Sequence, residues 1–173
     1  MIRIWCKRAG FAAALLILLL SPAWGSHVPF EQIDQHARNA PRQVTHDVEK
    51  LASYLAEPAT NDVEKVRSFY VWITDNISYD VGAFRQYNPS RHQRVSPQAV
   101  LQKRESVSQG YAELFQAMCR LHDIPCHLIP GYSKGLNTNR QDFTRGDHAW
   151  NAVQIDNDWH LLDVTWGSGG LND

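Results

Sequence analysis

Hydrophobic residues spaced three or four positions apart predict a series of helices in the first two thirds of the chain. The first run ends before Pro58, which cannot continue a helix. A second helix is expected after Asn61, because Asn61 and Glu64 match a capping box. This helix is expected to end near Asn76, where an extended segment follows. The apolar positions of the first run are Val44, Val48, Leu51 and Leu55.

Two further helices are predicted in the middle of the chain. Ser96 followed by Pro97 is typical of a helix start, and this short helix should extend to about Lys103. A stronger amphipathic helix is predicted from Ser108 to His122. Its apolar stripe comprises Tyr111, Leu114, Phe115, Met118 and Leu121.

The last third of the chain has the pattern of strands. Residues 126–132 predict one strand, and residues 148–155 with 159–166 predict a hairpin. Helices followed by antiparallel strands indicate an α+β domain. Residues 81–95 are polar and rich in turn formers, so we expect a loop that borders a functional site.

The predicted hairpin brings a histidine and an aspartate together. Its turn is either Asp156-Asn157 or Asn157-Asp158. In both registers His148 and Asp163 share a face, because side chains alternate along a strand. With the first turn they are diagonal neighbours, about 7–8 Å apart. An aspartate that binds an imidazole N–H fixes its tautomer, as in a catalytic triad. The alternative is a surface histidine that the aspartate never contacts.

The N-terminus has the features of an export signal. Three basic residues precede the apolar segment 11–20, which is shorter than the roughly 20 residues needed to cross a bilayer. Small residues at Ala23 and Gly25 match a signal peptidase site. We therefore expect a signal peptide over residues 1–25, cleavage near Gly25 and a periplasmic or secreted product. A retained membrane anchor is the alternative.

The rest of the chain has the length of one domain. We divide it into a lead-in segment over residues 26–43 and a folded domain over residues 44–173, whose sheet we suspect to be incomplete at its C-terminal end. The full sequence has a formal net charge of −1 and no basic stripe, which gives no support for nucleic-acid binding. We expect membrane contact only through the signal segment.

The metal and cysteine patterns predict no cofactor. The eight histidines show no ligand spacing, so we expect no metal site. Cys119 and Cys126 lie outside any CxxC or zinc pattern. Export would permit a disulfide between them, and two buried thiols are the alternative.

Three segments carry a family resemblance. They are RESVSQGYAELFQAMCRLHDIPCHLIPGY, DHAWNAV and WHLLDVTWG. They resemble the three core motifs of the transglutaminase-like superfamily, which has a papain-like fold with N-terminal helices packed on an antiparallel sheet. The preceding stretch VRSFYVWITDNISYD is most similar to the branch that includes the kyphoscoliosis peptidase and its bacterial relatives.

The resemblance implies roles for seven residues. His148 matches the general base, Asp163 matches the residue that orients it, and Ser108 stands where the family has its nucleophilic cysteine. Four aromatic residues belong to the same segments and either line a substrate pocket or pack in the core. They are Tyr79, Trp150, Trp72 and Tyr111.

Serine at position 108 changes the expected chemistry, and Ser106 also replaces a usual glycine. A cysteine beside a histidine at a helix start exists as a thiolate, whereas a serine must lose its proton during attack. We therefore expect an impaired pseudoenzyme that binds a peptide or a cell-envelope partner. The alternative is an active hydrolase or acyltransferase acting on peptide or amide bonds, including a natural parent with cysteine.

Overall fold

The computed structural model describes residues 30–85, 95–133 and 146–169, and these ranges form an α+β domain. The helices are α1 Phe30–Arg38, α2 Val48–Ala56, α3 Asp62–Asn76, α4 Val81–Arg85, α5 Pro97–Lys103, α6 Ser108–Leu121 and α7 Val164–Gly167. The strands are β1 Ser78–Tyr79, β2 Glu105–Ser106, β3 Cys126–Gly131, β4 His148–Ile155 and β5 Asp158–Leu162. The α+β fold class and the order of helices before strands are confirmed.

Side-chain caps fix the starts of two helices. The Asp47 carboxylate accepts the Lys50 N–H at 2.9 Å before α2, and Asn61 accepts the Glu64 N–H at 3.0 Å before α3. In a capping box the Glu64 side chain would accept the backbone N–H of Asn61. Here it bonds to Thr60 instead, one residue further upstream. Glu64 accepts the backbone N–H and the hydroxyl of Thr60 at 2.6 and 2.9 Å. These bonds satisfy a carboxylate that is fully buried.

Helix α1 lies within the segment that the sequence suggested was only a lead-in. It packs on α3 through Ile33 and Ala37, which are both fully buried. Asp34 binds Arg67 of α3 with both carboxylate oxygens, at 2.6 and 2.7 Å. Two buried positions one turn apart are too few to show as a periodic stripe in the sequence.

Helix α6 lies at the centre of the domain. It contacts α2, α3 and α5 as well as strands β3 and β4, so helices cover it on one side and the sheet on the other. Burial of each large apolar side chain contributes about 1.5–3 kcal/mol. The largest fully buried side chains around α6 include Trp72, Tyr111, Phe69, Phe115, Leu51 and Leu114.

The sheet has the predicted hairpin register. Its antiparallel order is β3-β4-β5, and Ile155 pairs with Asp158. The two turn residues, Asp156 and Asn157, both have positive φ angles, of 52° and 70°, as a type I′ turn requires. Strand β5 ends at Leu162, so the expected strand over residues 159–166 is too long.

A short parallel pair joins the helices to the start of α6. Tyr79 of β1 pairs with Ser106 of β2. Ser106 lies two residues before α6 begins, so Tyr79 lies close to the N-terminal end of this helix. The start of the expected loop over residues 81–95 is helix α4, and residues 86–94 lie outside the described ranges.

The export prediction concerns residues 1–25, which lie outside the described part of the chain. Among the residues that are described, no helix has the length and apolar character needed to traverse a lipid bilayer.

Cys119 and Cys126 are free thiols at the contact of α6 with β3. A hydrogen bond between the two thiols lowers the pKa of Cys126 and raises that of Cys119, and burial raises the pKa of Cys119 further. Cys119 is buried, whereas Cys126 is half-buried. Cys126 is therefore the more reactive thiol of the pair.

We predict that Asn61→Ala lowers the free energy of unfolding by about 1 kcal/mol, because the Glu64 N–H loses its acceptor. Urea denaturation followed by circular dichroism measures the change. Asn61→Asp is the matched control and should retain most of the stability. Equal losses in both variants would contradict the role of the cap.

Candidate active site

Ser108 is the first residue of α6 and is only 6% exposed. The N-cap position before it is Val107, whose side chain makes no capping bond. The amides of the first turn therefore have no side-chain acceptor at the cap. Helix N-termini carry partial positive charge, which favours a negative charge that develops on a bound carbonyl oxygen.

Gly110 gives the start of α6 its close packing. A Cβ atom at this position would lie 2.0 Å from the Ser106 hydroxyl oxygen and 2.9 Å from a methyl group of Val100. The serine at position 106, where the family resemblance predicts glycine, thus fills the space beside Gly110. No larger residue fits at position 110 without displacing the turn that leads to Ser108.

His148 and Asp163 are in direct contact, as the hairpin register predicted. Nε2 of His148 lies 2.6 Å from Oδ2 of Asp163. The other carboxylate oxygen accepts the Trp166 N–H at 3.0 Å, because Asp163 is the N-cap of α7. The side chains are 7% and 27% exposed, so this bond is largely shielded from water. With the proton on Nε2, Nδ1 carries the lone pair that a general base needs.

The N-cap explains why the strand ends earlier than expected. Asp163 bonds to the backbone of Trp166, which starts a helical turn and replaces the ladder of β5. Helix α7 is held in turn by α3, since Gly167 lies against the hydroxyl group of Tyr70. The position of the carboxylate is therefore set by tertiary packing as well as by the hairpin.

Helix α6 and strand β4 start at the same end of the domain. The Asn151 amide of β4 donates to the Ala112 carbonyl of α6 at 3.1 Å. Ser108 precedes Ala112 by about 6 Å along the helix, and His148 precedes Asn151 by about 10 Å along the strand. The two elements run in the same direction, because Gln116 of α6 contacts β3 further along the sheet. The geometry thus brings Ser108 and His148 to one end of the domain.

Trp72 and Tyr111 lie in the hydrophobic core. Tyr111 is fully buried, and its hydroxyl donates to the Ile77 carbonyl at 2.6 Å. Trp72 is 1% exposed, with the Arg104 guanidinium 4.6 Å above its ring. Both side chains have the packing role that the sequence offered as the alternative to substrate binding. Their predicted contact with a substrate stays a prediction.

Tyr79 lies closer to the candidate site. It is half-buried in β1, and its ring packs against Phe84 with 5.9 Å between centroids. Burial raises its pKa to about 12, and the charges of Tyr111, Asp147 and Asp80 add to the effect. The hydroxyl therefore remains protonated at neutral pH and can donate a hydrogen bond.

Trp150 contacts the imidazole from within β4. The ring centroids of Trp150 and His148 are 5.9 Å apart. The indole also covers Gly131, where a Cβ atom would lie 2.1 Å from its Cη2 atom. This close approach explains why glycine stands at the end of β3.

Trp166 is a site residue that sequence reasoning missed. Its ring centroid lies 5.4 Å from that of His148, and 59% of the residue is exposed. The sequence feature that could have identified it is its position in the motif segment WHLLDVTWG, three residues after Asp163. If the strand continued to residue 166, however, the side chains of Asp163 and Trp166 would point to opposite faces of the sheet. The helical turn of α7 brings it back toward the histidine.

Within residues 30–85, 95–133 and 146–169, no group of three or more histidine, cysteine, aspartate or glutamate side chains is arranged to hold a metal ion.

A buried residue at a helix start, a histidine–aspartate pair on an adjacent hairpin and the α+β architecture define the class of papain-like and transglutaminase-like domains. A model of the transglutaminase-like superfamily matches residues 49–164. The chain therefore belongs to the transglutaminase-like superfamily.

Several known proteins are similar to this chain. The kyphoscoliosis peptidase of Homo sapiens is 40% identical over 144 residues, which is 81% of this chain and 21% of that protein. The mouse protein of the same name is 39% identical over 142 residues, again 81% and 21% of the two lengths. This chain thus spans about a fifth of the length of these relatives.

Two crystal structures share the fold. A proposed cysteine protease from Cytophaga hutchinsonii has a TM-score of 0.53 and 26% identity, and the match covers 80% of this chain and 45% of that one. A transglutaminase (TGase) has a TM-score of 0.55 at 15% identity, with 87% and 36% coverage. These similarities confirm the predicted papain-like architecture, and the second supports the fold alone.

We predict that Gly167→Ala lowers the free energy of unfolding by about 1–3 kcal/mol, since the new Cβ atom would lie 1.9 Å from the Tyr70 hydroxyl oxygen. Urea denaturation of both single variants and the double variant with Tyr70→Ala gives the coupling energy. The added methyl group should cost less when residue 70 is alanine. A cost that is the same in both backgrounds would show that Tyr70 does not hold α7.

Proposed function

We propose that this protein is an exported transglutaminase-like domain that binds a peptide or a cell-envelope partner and has little or no catalytic turnover. The observation that carries the proposal is the pairing of Ser108 at the tip of α6 with an assembled His148–Asp163 bond. The histidine has a carboxylate partner, which supports a role as base, and the residue at the proposed nucleophile position is an alcohol.

Serine and cysteine differ in how readily the nucleophile loses its proton. A cysteine thiol has a pKa of about 8.5, which a neighbouring imidazolium and a helix start lower until a thiolate forms. A serine hydroxyl remains protonated under the same conditions. Attack by Ser108 would require transfer of its proton to Nδ1 of His148 as the bond from Oγ to the carbonyl carbon forms. Loss of a triad nucleophile usually leaves only the acceleration due to binding and oxyanion stabilisation.

Export is a separate part of the proposal. It is supported by the basic start, the short apolar run over residues 11–20 and the small residues at Ala23 and Gly25. Cleavage near Gly25 would release residues 26–173 to the periplasm or the exterior. The expected partners there are peptides or components of the cell envelope.

An active serine enzyme is the second candidate, and the 2.6 Å contact between His148 and Asp163 favours it. A binding module has no chemical need for an imidazole whose tautomer is fixed by a carboxylate. In this scheme Ser108 forms an acyl intermediate and the imidazolium protonates the leaving amine. Water or a second amine then breaks the acyl bond, giving hydrolysis or cross-linking.

A fluorophosphonate probe separates the two candidates. Our proposal predicts no adduct on Ser108 under conditions that label a serine hydrolase completely, as measured by mass spectrometry of the peptide that contains Ser108. Labelling of Ser108 that disappears in His148→Ala and persists in His160→Ala would establish the serine enzyme instead. His160 is a suitable control because it is an exposed histidine on β5.

The Ser108→Cys variant tests whether the rest of the site is assembled. We predict that iodoacetamide alkylates Cys at position 108 at least about tenfold faster than a free thiol near pH 6, where an ordinary cysteine is protonated. The adduct is located by peptide mass spectrometry, because Cys119 and Cys126 also carry thiols. His148→Ala should remove the advantage.

Ser78→Cys provides the matched control for this variant, because Ser78 is an exposed serine outside the candidate site. It should react at the rate of a free thiol. Equal rates at positions 78 and 108 would mean that the histidine does not activate a nucleophile at the tip of α6.

A further inference from the structure

The face of the sheet that points away from α6 carries large apolar side chains beside His148. Ala149, Asn151 and Val153 of β4 are buried, so the alternating positions Trp150 and Ala152 point to the opposite face. This outer face continues onto β5, where Ala152 pairs with Leu161.

Leu161 is 73% exposed and lies diagonally across the strands from Trp150. Trp166 of α7 is 59% exposed, and both indoles lie within 6 Å of the imidazole, with centroid distances of 5.9 Å for Trp150 and 5.4 Å for Trp166. The two indoles therefore flank His148, and Leu161 lies on the same face as Trp150. We call the apolar residues Trp150, Leu161 and Trp166 the indole wall.

The indole wall has no charge of its own. The neighbouring Asp163 carboxylate has one oxygen bound to His148 and the other bound to the Trp166 backbone. Exposed apolar surface of this kind marks binding sites, and tryptophan is enriched among the residues that contribute most to binding. Because Trp150 and Trp166 both lie against the candidate base, a peptide bound at His148 would lie next to the wall.

We infer that the indole wall binds an apolar side chain, preferably an aromatic one, of the peptide that occupies the proposed site. This inference rests on the proposed function, since it assigns the ligand chemistry of that same site. Trp166 is the main contact, because more than half of its surface is available and an aromatic pair adds to the gain from apolar burial.

The Ser108→Cys variant provides a direct assay with probes of known structure. Alkylation rates at position 108 are measured with N-benzyl-iodoacetamide and with iodoacetamide, and the first rate is divided by the second. Dividing this ratio by the same ratio for glutathione corrects for the different intrinsic reactivities of the two reagents. We expect N-benzyl-iodoacetamide to be favoured about fivefold to tenfold, as one well-placed aromatic contact provides.

Two tryptophan variants locate this preference. Trp166→Ala in the Ser108→Cys background should abolish the benzyl preference, so that the rate ratio equals that of glutathione. Trp166→Phe should keep most of the preference. Trp159→Ala is the matched control and should leave the ratio unchanged. Trp159 is also an exposed tryptophan of the outer face, 49% exposed, and it stacks on His127.

The outcomes distinguish this inference from the proposed function. Fast iodoacetamide labelling without a benzyl preference, or a preference that survives Trp166→Ala, would overturn the indole wall and leave the site intact. Labelling at the free-thiol rate with both reagents would overturn the assembled site and the inference with it. A stronger preference for a trimethylammonium iodoacetamide than for the benzyl reagent would replace apolar recognition by cation–π recognition.

Discussion

The two hydrogen bonds of the Asp163 carboxylate determine the geometry of the candidate site. One oxygen accepts the Trp166 N–H and starts α7, and the other lies 2.6 Å from Nε2 of His148. The first bond ends strand β5 and turns Trp166 toward the histidine. The second fixes which imidazole nitrogen remains available as a base. One side chain thus links the fold of the C-terminal hairpin to the chemistry of the site.

Helix α6 supplies the other half of the arrangement. Its buried stripe anchors it between the helices and the sheet, and the Asn151–Ala112 bond aligns it with β4. Ser108 is the residue that this alignment presents at the tip. A cysteine and a serine at this position differ in the energy needed to remove a proton. That difference is the basis of our proposal that the domain binds a ligand with little or no turnover.

The sequence predicted most of this architecture, because its signals were local or periodic. The apolar stripe predicted α6, and the hairpin turn predicted the register that joins His148 to Asp163. Helix α1 was missed because only two apolar positions, Ile33 and Ala37, are buried, while two ion pairs, Asp34–Arg67 and Arg38–Asp75, join it to α3. The role of Trp166 was missed because strand and helical turn place its side chain on different faces.

Long-range packing also decides which aromatic residues of these segments are buried and which are exposed. Trp72 and Tyr111 belong, like Trp150, to segments that carry the family resemblance, yet their side chains are almost completely buried. A motif gives the position of a residue in the chain. It does not show which other elements pack against that residue, and so it does not show whether the side chain is buried. Only the tertiary structure separates the aromatic core from the aromatic wall beside His148.

The most direct test of this account is the tautomer of His148, measured from its imidazole ¹⁵N chemical shifts at a pH where the ring is neutral. The account predicts a proton on Nε2, held by Asp163, and an unprotonated Nδ1, with loss of this preference in Asp163→Ala. A neutral ring with its proton on Nδ1 in the unaltered protein would contradict it, because the nitrogen that Asp163 leaves free would then have no lone pair to act as a base.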